Sequence, residues 1–255
     1  MYNIQPNTLF TGKTLEYMPT CHSTNDIAAQ IIQSSENVFE GTVIVTDHQT
    51  AGRGQRGNTW EASVGENLTF SVIFKPNFLK ASEQFQLNVA ISLGVHDFLS
   101  EFIDEDLTVK WSNDIYYENQ KMGGILIENS LQGYHIGHSV VGIGLNINQT
   151  EFENLRATSL RNITQNPQRY DLSEMLKKLL ENLEKNYLKI KNNDYESLKM
   201  RYLSNMFRFE EYHYFRKNKQ QFLGKIIGID ETGKLGIETE GMVLYFDFKE
   251  VEFVI

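Results

Sequence analysis

Between Gln49 and Trp60 the chain reads Q-T-A-G-R-G-Q-R-G-N-T-W, and glycines at 52, 54 and 57 make this stretch a loop rather than a helix or a regular strand. Its flanks show what the loop connects. Gly41–Asp47 (GTVIVTD) is apolar and β-branched, as in a buried strand, and Asn67–Phe74 (NLTFSVIF) alternates with β-formers, as in a second one. Arg53 and Arg56 therefore hang from a flexible backbone tethered at both ends, an arrangement suited to a phosphate or a carboxylate. Solvated arginines on a mobile surface loop are the plainer reading of G-R-G alone; the strands on either side favour a loop that orders around an anion.

The 255 residues, 40% of them apolar, suffice for a sizeable core in one domain, or in one large and one small domain. With 24 basic against 33 acidic residues the net charge is −9, and no block of Lys and Arg exists, which argues against nucleic-acid binding through a basic face. The single cysteine, Cys21, excludes an internal disulfide framework and beside His22 reads as incidental. The N-terminus lacks a basic start followed by an apolar core, and no apolar run approaches the roughly eighteen residues of a membrane span. The expectation is a soluble cytoplasmic protein with no membrane partner.

Ser23–Gln33 reads as a helix capped by Ser23 or Thr24, with Ile27, Ala28, Ile31 and Ile32 on one face. Ala81–Phe102 reads as a long core helix, Asp171–Tyr187 as an amphipathic one and Tyr195–Met206 as another. Leu107–Glu128 reads as two antiparallel runs with a tip at Glu118–Gln120, bringing Lys110, Asn113 and Asp114 on the first run near Lys121 and Gly124 on the second. Asn and Asp are poor strand residues, so the W-S-N-D cluster suggests a local task, against the alternative of a hairpin with charged edges. Ser139–Asn148 reads as a strand in which Gly142 and Gly144 admit a close neighbour, while Asn146 and Asn148 share a face and suggest a polar cleft. From Phe222 onward, short β-runs alternate with turn signals at Asp230–Gly233 and Thr239–Gly241, the pattern of a small terminal barrel.

Taken together, STN at Ser23–Asn25, GRGQRGNTW at Gly52–Trp60, KWSNDIYYENQKMGGILIE at Lys110–Glu128 and GIGLNIN at Gly142–Asn148 resemble, in order and spacing, the signature of biotin protein ligases (biotin–[biotin carboxyl-carrier protein] ligases). The resemblance implies an α+β fold: a seven-stranded mixed β-sheet catalytic domain with helices on one side, related to lipoate ligases and class II synthetases, over residues 1–206, then a small C-terminal SH3-like β-barrel over 207–255. The DNA-binding domain found at the N-terminus of some members is expected to be absent, because too few residues precede Ser23 for three helices. The implied chemistry is ATP-dependent activation of biotin as biotinyl-5′-AMP, with Mg2+ carried by ATP, followed by transfer to a lysine of a biotin carboxyl carrier domain such as that of acetyl-CoA carboxylase. The protein itself would be a monomer or a homodimer.

Carried over by motif, the biotin-binding set is Ser23, Thr24, Asn25, Gln49, Gly52, Arg53, Gly54, Gln55, Lys121 and Gly124. Arg53, Arg56, Trp60, Asn113, Lys121 and Asn146 would meet ATP or the adenylate, with Mg2+ near Asn113. Arg53, Lys121, Asp114 and Lys110 would be catalytic, Asp114 orienting or deprotonating the incoming lysine. The barrel would complete the carrier or ATP site and not the biotin pocket. Two positions depart from the family pattern: Gln55 stands where most members have a second arginine, and Ser112 replaces the proline of K-W-P-N-D. A lipoate or octanoyl transferase would share the fold but lacks G-R-G-x-x-G followed by K-W-x-N-D. A non-catalytic biotin-binding module would have lost the cations that Arg53, Lys110 and Lys121 supply, and the acidic balance disfavours a repressor.

Overall fold

A computed structural model describes residues 2–34 and 37–254, with the Arg56 side chain outside the described part. The chain runs β1 (Leu15–Cys21), α1 (Thr24–Ser34), β2 (Thr42–Gln49), β3 (Leu68–Phe74), α2 (Gln84–Leu99), β4 (Leu107–Lys110), β5 (Asp114–Tyr117), β6 (Gln120–Gln132) and β7 (His135–Leu145). It continues through α3 (Leu160–Thr164), α4 (Leu172–Lys191), α5 (Tyr195–Ser204), β8 (Tyr212–Lys217), β9 (Gln220–Ile229), β10 (Leu235–Thr239), β11 (Met242–Phe246) and β12 (Glu252–Phe253).

The first seven strands form one sheet in the order β1-β2-β3-β7-β6-β5-β4, parallel at β1/β2 and antiparallel elsewhere. The last five form a second, antiparallel sheet in the order β11-β10-β9-β8-β12. Period-two alternation sorts the first sheet into two unlike faces. Val43 and Val45, the run Leu68, Phe70, Val72 and Phe74, and Val141, Ile143 and Leu145 point into the large core with α2, α4 and α5. Ile44, Ile73 and Val140 point the other way, against Ala28 of α1. The expected "helices on one side" is therefore corrected: α1 covers part of the opposite face, because its Ile27, Ala28, Ile31 and Ile32 stripe needs an apolar partner of its own.

Several boundaries also differ from the sequence reading. β1 has no clean alternation and contains Pro19, which has no N–H to give a ladder and so suits this edge position. The run through Lys110–Asp114 is not one strand: the chain reverses at Trp111–Asn113, so β4 and β5 form a hairpin with Lys110 opposite Asp114, and the expected tip at Glu118–Gln120 joins β5 to β6. The long helix divides into a 3-10 turn at Ala81–Glu83 and α2, which stops at Leu99. β7 ends at Leu145, leaving Asn146 and Asn148 beyond the strand. β8, whose aromatic and charged residues gave no apolar run, adds a strand before Phe222.

Candidate active site

The site lies on the α1 face, where the strands carry small and polar residues instead of the apolar side chains of the opposite face. β3 presents Thr69 and Ser71, β7 presents Gly142 and Gly144, and β6 presents Gly124, Leu126 and Glu128. A Cβ on Gly142 would lie 2.2 Å from Asn25 Oδ1, and one on Gly144 would lie 2.2 Å from the Trp60 ring. These glycines let the start of α1 and the end of the loop settle onto the sheet. The floor so formed carries a cavity of ≈ 520 Å³, within the usual range for a small-molecule site.

One end of the cavity is a hydrogen-bonded polar cluster. Gln49 Oε1 accepts from the Thr24 backbone N–H at 2.7 Å and from the Thr24 hydroxyl at 3.2 Å. The buried Ser71 hydroxyl donates to Asn25 Oδ1 at 2.6 Å and lies 2.7 Å from Thr24 Oγ1. Asn25 Nδ2 donates to Glu128 Oε2 at 2.7 Å.

At the other end Lys121 Nζ sits 2.8 Å from Asp114 Oδ1, both beside Gly124, where a side chain would come within 3.3 Å of the ammonium. Asn113 is buried; its Nδ2 donates to the Ile125 carbonyl and its Oδ1 accepts from Ser112 Oγ at 2.9 Å, so its amide fastens the β4–β5 turn to β6.

The glycine loop is a compact hydrogen-bonded turn. Gly54 N–H donates to Asn58 O at 2.7 Å, Trp60 N–H to Gly52 O at 3.0 Å, and only Gly57 of the three glycines has positive φ. Arg53 reaches across to two carboxylates: Nη1 and Nη2 donate to Glu128 at 2.9 and 2.8 Å, and Nη2 also to Asp26 at 2.7 Å. The hydrogen bonds to Glu128 hold its guanidinium still more firmly protonated than usual.

A second hollow of ≈ 740 Å³ adjoins the first and shares Thr59, Trp60 and Lys121 with it. Asn146 lines this hollow, its Nδ2 donating to Thr158 O at 3.0 Å, and Glu61, Glu151 and Glu153 stand on its wall.

Of the residues expected from sequence, Ser23, Thr24, Asn25, Gln49, Arg53, Gly54, Gln55, Trp60, Asn113, Asp114, Lys121 and Gly124 line the first cavity. Asn146 lines the second, and its cleft is not the two-asparagine strand face anticipated, since Asn148 turns inward to bond the Tyr170 backbone. Gly52 lines neither hollow; a Cβ there would lie 2.3 Å from the Trp60 carbonyl, so it serves the loop's own closure. The Arg56 side chain falls outside the described residues.

Lys110 also lines neither hollow. Its ammonium stands 4.7 Å from the Tyr116 ring centre and 5.2 Å from that of Phe253, and burial pulls it down to about 8. Burial likewise pushes the Cys21 thiol up, in keeping with an incidental cysteine. Among the described residues no group of three or more His, Cys, Asp and Glu could hold a metal ion, and no helix is long and apolar enough to cross a membrane.

Ser71 and Phe248 are among the contributors that escaped the sequence reading. Ser71 was hidden in a strand run, although a hydroxyl flanked by Phe70 and Val72 marks the sheet's polar face. Phe248 lines the first cavity from the turn between β11 and β12, so the C-terminal segment reaches this cavity. No local signal distinguishes Phe248 from a core phenylalanine.

The sequence profile of the biotin/lipoate A/B protein ligase family matches residues 17–146. The bifunctional ligase/repressor BirA of Bacillus spizizenii is 29% identical over 236 residues, spanning 90% of this chain and 70% of its own. A biotin protein ligase of Aquifex aeolicus, solved as a point mutant in complex with biotin, is 30% identical over 95% of this chain and 98% of its own, with a TM-score of 0.77. The Aquifex ligase solved with biotin and ATP superposes with a TM-score of 0.78 at 29% identity, over 95% of this chain and 100% of its own. The mixed sheet and the SH3-like C-terminal sheet are the fold of those ligases.

Proposed function

Because the chain belongs to the biotin/lipoate A/B protein ligase family, and within it is a biotin protein ligase, we propose that it joins biotin to the α-phosphate of Mg-ATP and then to a lysine of a biotin carboxyl carrier domain. In the first step a carboxylate oxygen of biotin attacks the α-phosphorus and pyrophosphate leaves. In the second, the lysine amine attacks the carbonyl carbon of biotinyl-5′-AMP, AMP leaves with the bonding pair, and the amine proton is lost. Neither step needs a protein nucleophile; both need two anions held together and developing charge neutralised away from water.

The observation that carries this reading is the cavity itself. It runs from the Thr24, Asn25, Gln49 and Ser71 cluster, suited to a polar ring, to Lys121, and passes there into the hollow lined by Trp60 and Asn146. The ureido ring of biotin belongs at the first end and its carboxylate at Lys121, where the α-phosphate meets it. Glu61, Glu151 and Glu153 line the second hollow and disfavour a triphosphate there, so the phosphates belong at Lys121 and the nucleoside beyond. Arg53 meets the same anions from the glycine loop, bidentate guanidinium against point-charge ammonium. Asp114, 2.8 Å from Lys121, is positioned to orient the incoming amine or take its proton. A magnesium ion would enter as part of the nucleotide: the Asp114 carboxylate is held by Lys121 and the Asn113 amide by Ile125, so phosphate oxygens and water would supply most of its ligands. Residues 1–206 would carry this chemistry, and 207–255 would complete it through Phe248 and serve the carrier.

Mass spectrometry of a carrier domain incubated with the full chain, biotin and Mg-ATP tests the proposal. A gain of one biotinyl group on one lysine is expected; an unmodified carrier, with biotin and ATP both at saturation, would overturn it.

A further inference from the structure

Arg53, on the glycine loop, is held by two carboxylates in different ways. Glu128 engages it with both oxygens, one on each terminal nitrogen, at 2.9 and 2.8 Å, whereas Asp26 touches Nη2 alone at 2.7 Å. Stereochemistry fixes what remains. An end-on pair uses the inner hydrogens of Nη1 and Nη2, so Asp26 takes the outer Nη2 hydrogen, on the edge shared with Nε–H. That edge is a second two-donor fork, matched in shape to another carboxylate or a phosphate, and Asp26 occupies only half of it.

Glu128 has a further attachment. Its Oε2 also accepts Asn25 Nδ2 at 2.7 Å, and Asn25 lies flat on Gly142 with its Oδ1 toward Ser71. One carboxylate thus ties the glycine loop to the start of α1 and orients both. Among the described residues Asp26 has no such second anchor in the pocket; its other neighbour is His22 Nε2 at 3.4 Å, from the bend that precedes α1.

Resting on the reading that Arg53 meets the biotin carboxylate or the α-phosphate, we propose that Glu128 is a positioning residue that stays on Arg53 throughout the reaction, and that Asp26 is a place-holder whose position on the guanidinium the substrate anion takes over. The side chains of both acids are more than a third exposed, and a single-contact ion pair at that exposure is weak and readily exchanged. The bidentate pair, shared with Asn25, resists exchange and keeps the open fork aimed along the cavity.

Biotin-dependent exchange of pyrophosphate into ATP, together with calorimetric titration of biotin, separates the two roles when the full chain is compared with Glu128→Gln, Asp26→Asn, Arg53→Ala and the double variant Glu128→Gln/Arg53→Ala. Misaimed guanidinium groups cost rate, so Glu128→Gln is expected to lower the exchange rate at saturating substrates by about ten- to a hundred-fold. In the Arg53→Ala background the same change should cost nothing further, a non-additivity that a purely structural glutamate would not show. Removing the competitor lets the anion in more easily, so Asp26→Asn should lower the KM for biotin by about two- to five-fold, with the rate kept. If Glu128→Gln leaves the rate unchanged, or costs as much without Arg53 as with it, or if Asp26→Asn weakens biotin binding as Glu128→Gln does, the assignment is overturned while the ligase reading stands. A wild-type chain without any biotin-dependent exchange would overturn the ligase reading and the assignment with it.

Discussion

Lys121 is the cation best placed for charge that develops between two oxyanions, because it lies where the two hollows meet, its ammonium 2.8 Å from Asp114 Oδ1. Lys121→Ala is expected to slow adenylate formation by about two or more orders of magnitude, the scale for a lost preorganised charge partner. Its backbone bonds to Arg156 and Thr158 do not involve the side chain, so the fold should survive. Pyrophosphate release followed in single turnovers checks this, and a wild-type rate would remove Lys121 from the chemistry. Gly144 makes a steric prediction at the same scale. A methyl group at that position would strike the Trp60 ring, so Gly144→Ala must push the indole off the sheet and into the space both hollows share. Trp60 fluorescence should shift in the free protein and biotin affinity fall; an unshifted spectrum with unchanged affinity would show that the ring has room to yield.

Elements hold the site through polar as well as apolar contacts, and α4 shows how. Its amphipathic stripe of Met175, Leu176, Leu179, Leu180 and Leu183 was legible from spacing alone, yet the same helix buries Glu184. That carboxylate accepts the backbone N–H groups of Leu9, Phe10 and Thr11 at 2.5, 3.0 and 2.8 Å, and so fastens the N-terminal segment against the helix. The periodic pattern contains no hint of it, because a glutamate one step off an apolar stripe normally faces water. Glu184→Ala would strand three buried or part-buried N–H donors and is expected to cost about 3 kcal/mol, a large single-residue loss. Thermal unfolding should then fall by roughly 6–12 °C for a chain of this size. A change within a degree would mean that water replaces the carboxylate freely. The β4–β5 turn is held in a similar manner, since Tyr202 of α5 donates its hydroxyl to the Ser112 carbonyl at 2.7 Å. That bond holds in place the turn from which Asn113 and Asp114 reach the cavity, at the position where the family pattern has proline and this chain has serine.

On the scale of the whole molecule, the W-S-N-D turn also joins the two sheets. Trp111 Nε1 donates to the Gly233 carbonyl at 2.9 Å and its ring lies 5.9 Å from Phe248, while Lys110 points between Tyr116 and Phe253. Lys110 therefore packs in the seam between the two sheets and lines neither hollow. Burial lowers it from 10.5 to about 8, with Lys121, Arg208 and Arg156 pushing the same way, Asp114 pulling it up, and the ring faces also favouring the charged form. The folded chain thus binds this proton less tightly than the unfolded chain. Below about pH 8 the ammonium is charged in both states and its desolvation cost is fully present; between about 8 and 10.5 the folded state sheds the proton first, and stability rises with pH on this account. Lys110→Met keeps the stem between the rings and removes the titration. Wild type should gain on the variant from pH 8 to 10.5 in denaturant unfolding and run parallel to it below; a constant difference across that range would place the ammonium in water.

The sequence by itself determined the loop, the two strands beside it and the apolar stripes of α1 and α4, and its resemblance to the family picked out most of the residues that line the first cavity. The elements follow from local rules, glycine at a turn, period two in a strand and period 3.6 in a helix, and the site residues from the family's motifs. Only the tertiary structure decided which face of the sheet the cavity occupies, that Asn113 and Asn146 spend their amides on backbone carbonyls, that Lys110 faces Phe253, and that Phe248 reaches the pocket from residues far along the chain. The physical reason is that these depend on what a side chain meets across the sheet or across the seam. A lysine beside tryptophan reads the same in a one-dimensional pattern whether its ammonium ends over a substrate or over an aromatic ring.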